Sequence, residues 1–348
     1  TSAGAIKEIK SIGDASRAVR ATLSTNSTEV SFYYGVQVGD GGLEMKNNAV
    51  ISGNVYSNGP VKGANGAKVV GDLTVAGAKK AEEIIVSGTL RANTIEKSKI
   101  CGDAYYQATD SGSLNFVNSP SKPTCSDPLT PGTANPGSAN PLAQNMPIPA
   151  ATIQAWKNDA ADSGNCVPPE CTSSGDFLVT NNQTRSLGPK KITGKIKIDN
   201  GATLIMTGTI WVLGDLELSG SNGCNMKLAA SYGGLSGVVI GDSKIVISNN
   251  CNVQGSGDPA SYLMLLADKN SPSEEVMVVD NNSVGAVYYA SGGWIKFSNN
   301  AAAKEATAYG IRLDNGASIT YESGLADAQF SSGPSGGWDI TGWSEVIP

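Results

Sequence analysis

The sequence predicts an all-β chain wound as a single-stranded parallel β-helix (a solenoid), with a Pro-rich loop and one short helix as an excursion from it. Three observations carry this expectation. Glycine is abundant, at 42 of 348 residues, while charged residues make up only 16% and aromatics 6%. That profile suits many short strands joined by tight turns. A short motif, apolar–small–Gly–polar–apolar, recurs at quasi-regular spacing, and Asn-centred turns recur among the strand-like runs. Stacked windings would lie ~4.8 Å apart.

Residues 1–35 read as an N-terminal β hairpin or junction. Ala5–Ile12 and Arg17–Leu23 are strand-like, and Gly13-Asp14 between them is a turn signal. Residues 36–107 form the first β-helix part. Here the motif appears as Ile51-Ser-Gly-Asn-Val55, Val69-Val-Gly-Asp-Leu73, Val86-Ser-Gly-Thr-Leu90 and Ile100-Cys-Gly-Asp-Ala104, with glycine spacings of 18, 17 and 14. Each winding buries its alternate residues only when the next stacks on it.

Residues 108–175 break the pattern. Half of the 16 prolines fall between 108 and 150, and proline cannot donate to a ladder, so an extended loop is expected. A helix follows over Pro149–Ala161, with Pro149 in the first turn and Gly164 beyond the end. Ile153, Trp156 and Ala160 give it one apolar face, suited to lying on the solenoid or capping it.

Residues 176–323 form the main β-helix. The motif returns in Ile192-Thr-Gly-Lys-Ile196, Met206-Thr-Gly-Thr-Ile210 and Leu213-Gly-Asp-Leu-Glu-Leu218. Turns fall at Asp199-Asn-Gly201, Asn249-Asn250, Asp280-Asn-Asn282, Asn299-Asn300 and Asp314-Asn-Gly316, with an early copy at Asn47-Asn48. Asn and Gly tolerate the positive φ that a sharp corner requires, and Asn side chains at equivalent corners can bond along a stack. Residues 324–348, with Trp338 and Trp343, read as a C-terminal cap.

Six cysteines, Cys101, Cys125, Cys166, Cys171, Cys224 and Cys251, point to an oxidising compartment. Sequence alone leaves all 15 pairings open. The preferred set is Cys101–Cys125, tying the Pro-rich loop to a winding, Cys166–Cys171, closing a Pro-Pro loop, and Cys224–Cys251, stapling neighbouring windings. A zinc site is the rival reading, but only Cys166 and Cys171 are closely spaced and there is no histidine.

The absence of histidine removes the commonest general base near neutral pH and the commonest metal ligand. The formal charge is −6, and no broad basic stripe is present to neutralise phosphates. Nucleic-acid binding and an anionic membrane are therefore disfavoured. No apolar run approaches the ~20 residues of a membrane helix, so this chain is expected to make no membrane insertion; an upstream segment, processed or omitted, is expected before Thr1. No phosphate loop or EF-hand pattern occurs, and no cofactor is expected. An Asp-Asn corner nevertheless has the clustered oxygens for a structural calcium.

Asp199, Asp280 and Asp314 invite a carbohydrate-active reading, lyase or glycosidase, because paired carboxylates do acid–base work. Each precedes Asn in a turn, where its side chain is better used accepting backbone N–H bonds. The chain is expected not to be an enzyme.

Several stretches together are familiar: Ser31–Asn48, Ile51–Gly59, Gly208–Leu216, Ala306–Tyr309, Tyr321–Leu325 and Gly333–Ile340. The whole resembles the β-solenoid ectodomain of bacterial PilX-type, pilin-like surface proteins, with a weaker resemblance to bactofilin β-helices, against which the cysteines argue. The resemblance covers most of residues 18–345 and carries no catalytic motif. It implies an extracellular or cell-surface structural or adhesive protein, pilus-associated in the manner of a minor pilin. The hydrophobic N-terminal helix of a pilin does not occur in these residues. The expected partners are the chain itself, joined end to end through the hairpin Ile6–Leu23 or the segment around Trp338 and Trp343, other pilus or surface proteins, and surface glycans. Tyr33, Tyr34, Tyr105 and Tyr106 are candidate exposed contacts. A carbohydrate-binding module or carbohydrate-active enzyme is the alternative.

Overall fold

The computed structural model describes residues 6–9, 17–25, 27–109, 114–116, 132–285, 287–333 and 338–346. The described chain is mostly β, with one α-helix, and its long ladders are parallel. The chain makes repeated passes, and each pass contributes strands to three rows. One pass shows the plan. Ile196–Ile198 lies in the first row, Thr203–Met206 in the third and Ile210–Val212 in the second. Leu216–Leu218 then returns to the first row, directly opposite Ile196–Ile198.

The rows exist because side chains alternate across a strand. Ile196, Ile198, Leu204, Met206, Ile210 and Val212 all point inward and are fully buried. With their counterparts in other passes they make one continuous apolar column. Most of this burial disappears if a pass loses its neighbours, so passes stabilise one another cooperatively. In the main block the second row is covered on its outer face too: Gly237–Gly241 and Leu263–Ala267 are buried at every position. Their outer side chains, including Val238, Ile240, Met264 and Leu266, join a second cluster with Phe32, Trp156 and Phe330.

The order of passes in space differs from their order in sequence. The passes from Phe177 lead up to Glu305–Leu313, and the strand paired with that one is Val36–Met45, from the start of the chain. Ala306 stands opposite Val36, and Leu313 opposite Met45. In the third row Ser318 stands opposite Val50. The passes of residues 36–109 therefore continue from the last pass of the main block.

The Asn corners follow this spatial order. Asn47, Asn65, Asn249, Asn281, Asn299 and Asn315 all have φ between 49° and 59°. Their amides form a ladder: Asn65 donates to Asn47 at 2.9 Å, Asn47 to Asn315 at 3.1 Å, Asn315 to Asn299 at 3.2 Å, Asn299 to Asn281 at 3.3 Å and Asn281 to Asn249 at 3.1 Å. The ladder crosses the junction between blocks without a break.

Beyond Asn65 the equivalent corners are Glu83, at φ 53°, and Lys97, at φ 45°. Neither residue adopts left-handed backbone at low cost, whereas Asn does. The exposed Lys97–Glu83 contact at 3.6 Å offsets little of that strain. Glu83→Asn and Lys97→Asn are each expected to stabilise the chain by about 0.5–1 kcal/mol. Urea unfolding measures this; a lower midpoint for both would refute the corner argument.

The segment before the helix runs along the passes of residues 36–107 from their far end. Gln107 donates to Ser138, Asn93 to Asn140 at 3.1 Å, and Gly77 to Pro141 at 2.8 Å. Tyr56 then donates to Leu142, Asn58 to Gln144 at 2.7 Å and Gln37 to Asn145 at 2.7 Å. Prolines 136, 141, 147 and 149 suit a segment that accepts hydrogen bonds and needs few donors of its own. It leads into the helix Ala150–Asp162, whose buried Ile153, Trp156 and Ala160 are the apolar face read from the sequence. Lys157 pins the helix to the second row. Its ammonium is 2.6 Å from Asp242 and 2.5 Å from Asp268. Burial alone would lower its pKa, but those two carboxylates hold it above the usual lysine value.

After the helix, Cys166 donates its N–H to Lys191 at 2.8 Å, and the Cys166–Cys171 loop closes the column beside Phe177. Arg185 lies 4.1 Å over the Phe177 ring and donates to Glu170 at 2.6 Å. This loop covers the stack end for which the terminal strands are the sequence-based candidates. Those strands pair with one another instead. Ser27–Val30 runs antiparallel to Ala328–Ser331, and Arg17–Thr25 runs antiparallel to both Trp338–Val346 and Ile6–Ile9. Phe330 bridges to Ser236, which places this pairing on the flank of the main block. The turn at Gly13-Asp14 lies outside the described residues.

Cys224 and Cys251 stand directly opposite on neighbouring passes and are bonded, with Cα atoms 4.4 Å apart. Cys101 is disulfide-bonded, while Cys125 lies outside the described residues.

Candidate functional site

The outward side chains of the first row form a column of charge. Lys296 stands opposite Arg312, Arg312 opposite Glu44, Glu44 opposite Lys62 and Lys62 opposite Glu82. Strand alternation places them there: Ile295, Ile311, Leu43 and Val61 point inward on the same strands. Adjacent passes bring these charges to within about 5 Å of strand spacing.

At the junction the column opens into a groove of about 550 Å³, lined by Glu44, Lys46, Lys62, Glu275, Lys296, Arg312 and Asp314. Arg312 is its centre. The guanidinium lies 4.1 Å from the ring centre of Trp294. It donates to Glu44 at 3.0 Å and to Glu275 at 3.2 Å. Burial would lower the Arg312 pKa, but Glu44 and Glu275 raise it above the ordinary value. Trp294 is held in turn by its indole N–H, which donates to Pro272 at 2.8 Å.

Asp314 sits at the groove edge. It accepts from Asn47 at 2.6 Å and lies 3.3 Å from Lys46. Burial pushes its pKa up, yet the Asn47 amide, the Lys46 ammonium and the Asn315 N–H together hold it below the usual carboxylate range. That is opposite to the shift a general acid needs near neutral pH. Lys62 carries no ion pair among the described residues and is exposed.

The three aspartates singled out from sequence lie at separate corners. Asp280 accepts from Ser298 and from Asn299, both at 2.8 Å. Asp199 lies 3.5 Å from Lys197. Only Asp314 lines the groove, and its companions Glu44, Glu275 and Arg312 were not singled out. Their sequence signal is slight: Glu44 and Arg312 are isolated charges flanked by apolar strand residues, and Glu275 follows Glu274 in a polar run. Glu44 and Arg312 are 268 positions apart. Of the candidate tyrosines, Tyr33 is 68% exposed, Tyr34 and Tyr105 are half-buried, and Tyr106 is buried.

Among the described residues no cluster of three or more Cys, Asp or Glu side chains has the arrangement of a metal site. No helix there is long and apolar enough to cross a membrane. No protein-family model and no curated protein matches the chain. Among solved structures, the competence-associated pilin ComZ from Thermus thermophilus is a distant pilin-like neighbour, with 10% identity and a TM-score of 0.26 over 97% of this chain and 79% of that one.

Proposed function

We propose that this chain is a non-catalytic structural or adhesive protein of the cell exterior, its passes forming a single β-solenoid. Pilus association follows from the resemblance of its segments to pilin-like surface proteins. The supporting observation for a non-catalytic role is the state of the groove carboxylates. Glu44 and Glu275 both accept from Arg312, and Asp314 is held ionised by Asn47 and Lys46. Asp314 is therefore not a poised proton donor. Bonded cysteine pairs fit an oxidising exterior.

The groove gives a second reading specific support, because it joins carboxylates to an arginine and three lysines. In that reading it cleaves a charged glycan. The test separates the two. The chain is incubated with acidic and neutral polysaccharides, and new chain ends and retained chain are both measured. We expect no turnover, and salt-sensitive retention on acidic surfaces that falls at least several-fold in Lys62→Glu/Lys296→Glu. Turnover abolished by Glu275→Gln or Asp314→Asn would overturn the non-catalytic reading.

A further inference from the structure

We infer that the junction between the two blocks is a surface for a second copy of this chain, so that the block of residues 36–145 of one molecule can stack on the main block of another. The inference rests on and deepens the structural part of the proposed function and is independent of the adhesive part.

The junction is built like every other step in the rows. It has the same parallel register, the same Asn ladder and the same continuous apolar column. Val36, Val38, Leu43 and Met45 on one side, and Ala306, Ala308, Ile311 and Leu313 on the other, are buried. Neither surface can face water without exposing a whole row of apolar side chains and unpaired strand edge. Each therefore requires the other, but no peptide bond runs directly through the contact. The last pass leaves through residues 321–333 on the flank, and the first pass arrives from Ser27–Val30, also on the flank.

The chain crosses between the first block and the rest at two places. One is Tyr33-Tyr34-Gly35, between Phe32 in the flank cluster and Val36 in the first strand. The other is Met146–Pro149, between the segment Ser138–Asn145 and the helix Ala150–Asp162. On one side of that tether Ser138–Asn145 bonds to the first block; on the other Trp156 and Lys157 bind the main block. If both tethers extend, the first block leaves as a unit. The surface that accepts it on another molecule is identical to the one it left. Exchange of this kind adds no new contact and is governed by concentration during folding. The two unlike faces are complementary, so exchange can close a dimer or extend a chain of molecules.

The test uses the pattern of Cys224–Cys251. Those cysteines directly follow a corner on neighbouring passes, and Ala317 and Ala49 occupy the same place across the junction. Equal amounts of light and nitrogen-15-labelled Ala49→Cys/Ala317→Cys chain are unfolded, mixed, refolded across a concentration series and oxidised. The peptide pair linking 49 to 317 is then read by mass spectrometry. Exchange predicts mixed-label pairs that increase with concentration towards about half of the total, with reductant-sensitive dimers and longer species on gels. Pairs of single label at every concentration would overturn the inference. Should the buried pair prevent folding, Ser52→Cys/Thr320→Cys, opposite one another at the same step but less buried, gives the same readout. Adhesion measured on the isolated monomer tests the other part of the reading and does not depend on this outcome.

Discussion

Glu305→Gln is expected to stabilise the protein at neutral and alkaline pH and to remove a large pH dependence of its stability. Glu305 is fully buried at the edge of the second row. Thr307 donates to one carboxylate oxygen at 2.6 Å, while the other has no hydrogen-bond partner. Burial raises its pKa well above the ordinary carboxylate value, and the Thr307 bond only partly opposes this. The folded chain thus holds a proton that the unfolded chain has released above about pH 4.3. Stability should fall by about 1.4 kcal/mol per pH unit from there until the folded-state pKa is passed, then level off. Asp314 has the opposite sign. Its lowered pKa supplies stability above the unfolded value that is lost as pH falls. Subtracting the Glu305→Gln curve from wild type isolates the Glu305 contribution. Parallel curves from pH 5 to pH 8 would show that the carboxyl is not held protonated by the fold.

Replacing both Cys224 and Cys251 by Ala should cost about 3.5 kcal/mol, the loop-closure value for their separation of 27 residues. Packing should contribute little to the loss. Ala202, Ala301 and Ala317 occupy the equivalent inward place after their corners and are fully buried. The measurement is the denaturant midpoint with and without reductant. Wild type should fall towards the double variant on reduction, and the double variant should move much less. Equal midpoints for oxidised wild type and the double variant would refute the staple.

Much of the local fold is legible in the sequence. The Asn-centred corners at Asp199–Gly201, Asp280–Asn282 and Asp314–Gly316 all take left-handed backbone, because few residues besides Asn and Gly do so cheaply. The Gly motif marks a real corner, but not always the same one. Ile51–Val55 and Met206–Ile210 turn from the third row to the second, whereas Ile192–Ile196 turns from the second to the first. Local sequence cannot tell these apart, since both need small residues at a tight bend. Glu83 and Lys97 hide two further corners because they lack the expected residue type.

The order of the passes is the part that sequence conceals. Every pass presents the same alternation above and below, so nothing in Val36–Met45 specifies Glu305–Leu313 as its neighbour. The charged groove shares this concealment in part, because Glu44 reaches Arg312 only through that pairing, whereas Glu275 meets Arg312 within the main block. Likewise, the paired apolar alternation near Ile6–Leu23 announces strands but not their antiparallel partner Trp338–Val346.

The pairing of Val36–Met45 with Glu305–Leu313 also sets a clock on synthesis. Val36–Met45 emerges first, yet its neighbour is made some 268 residues later. At the usual 5–20 residues per second, its apolar face waits roughly 15–50 s for that partner. Hydrophobic collapse of a short chain takes microseconds, so the nascent first block spends that interval as a sticky, half-finished surface. A holding factor on the nascent chain, or export that delays folding until the whole chain has crossed, would protect it. Production in a host lacking either should yield aggregates seeded by the earliest strands, even when the finished protein is stable.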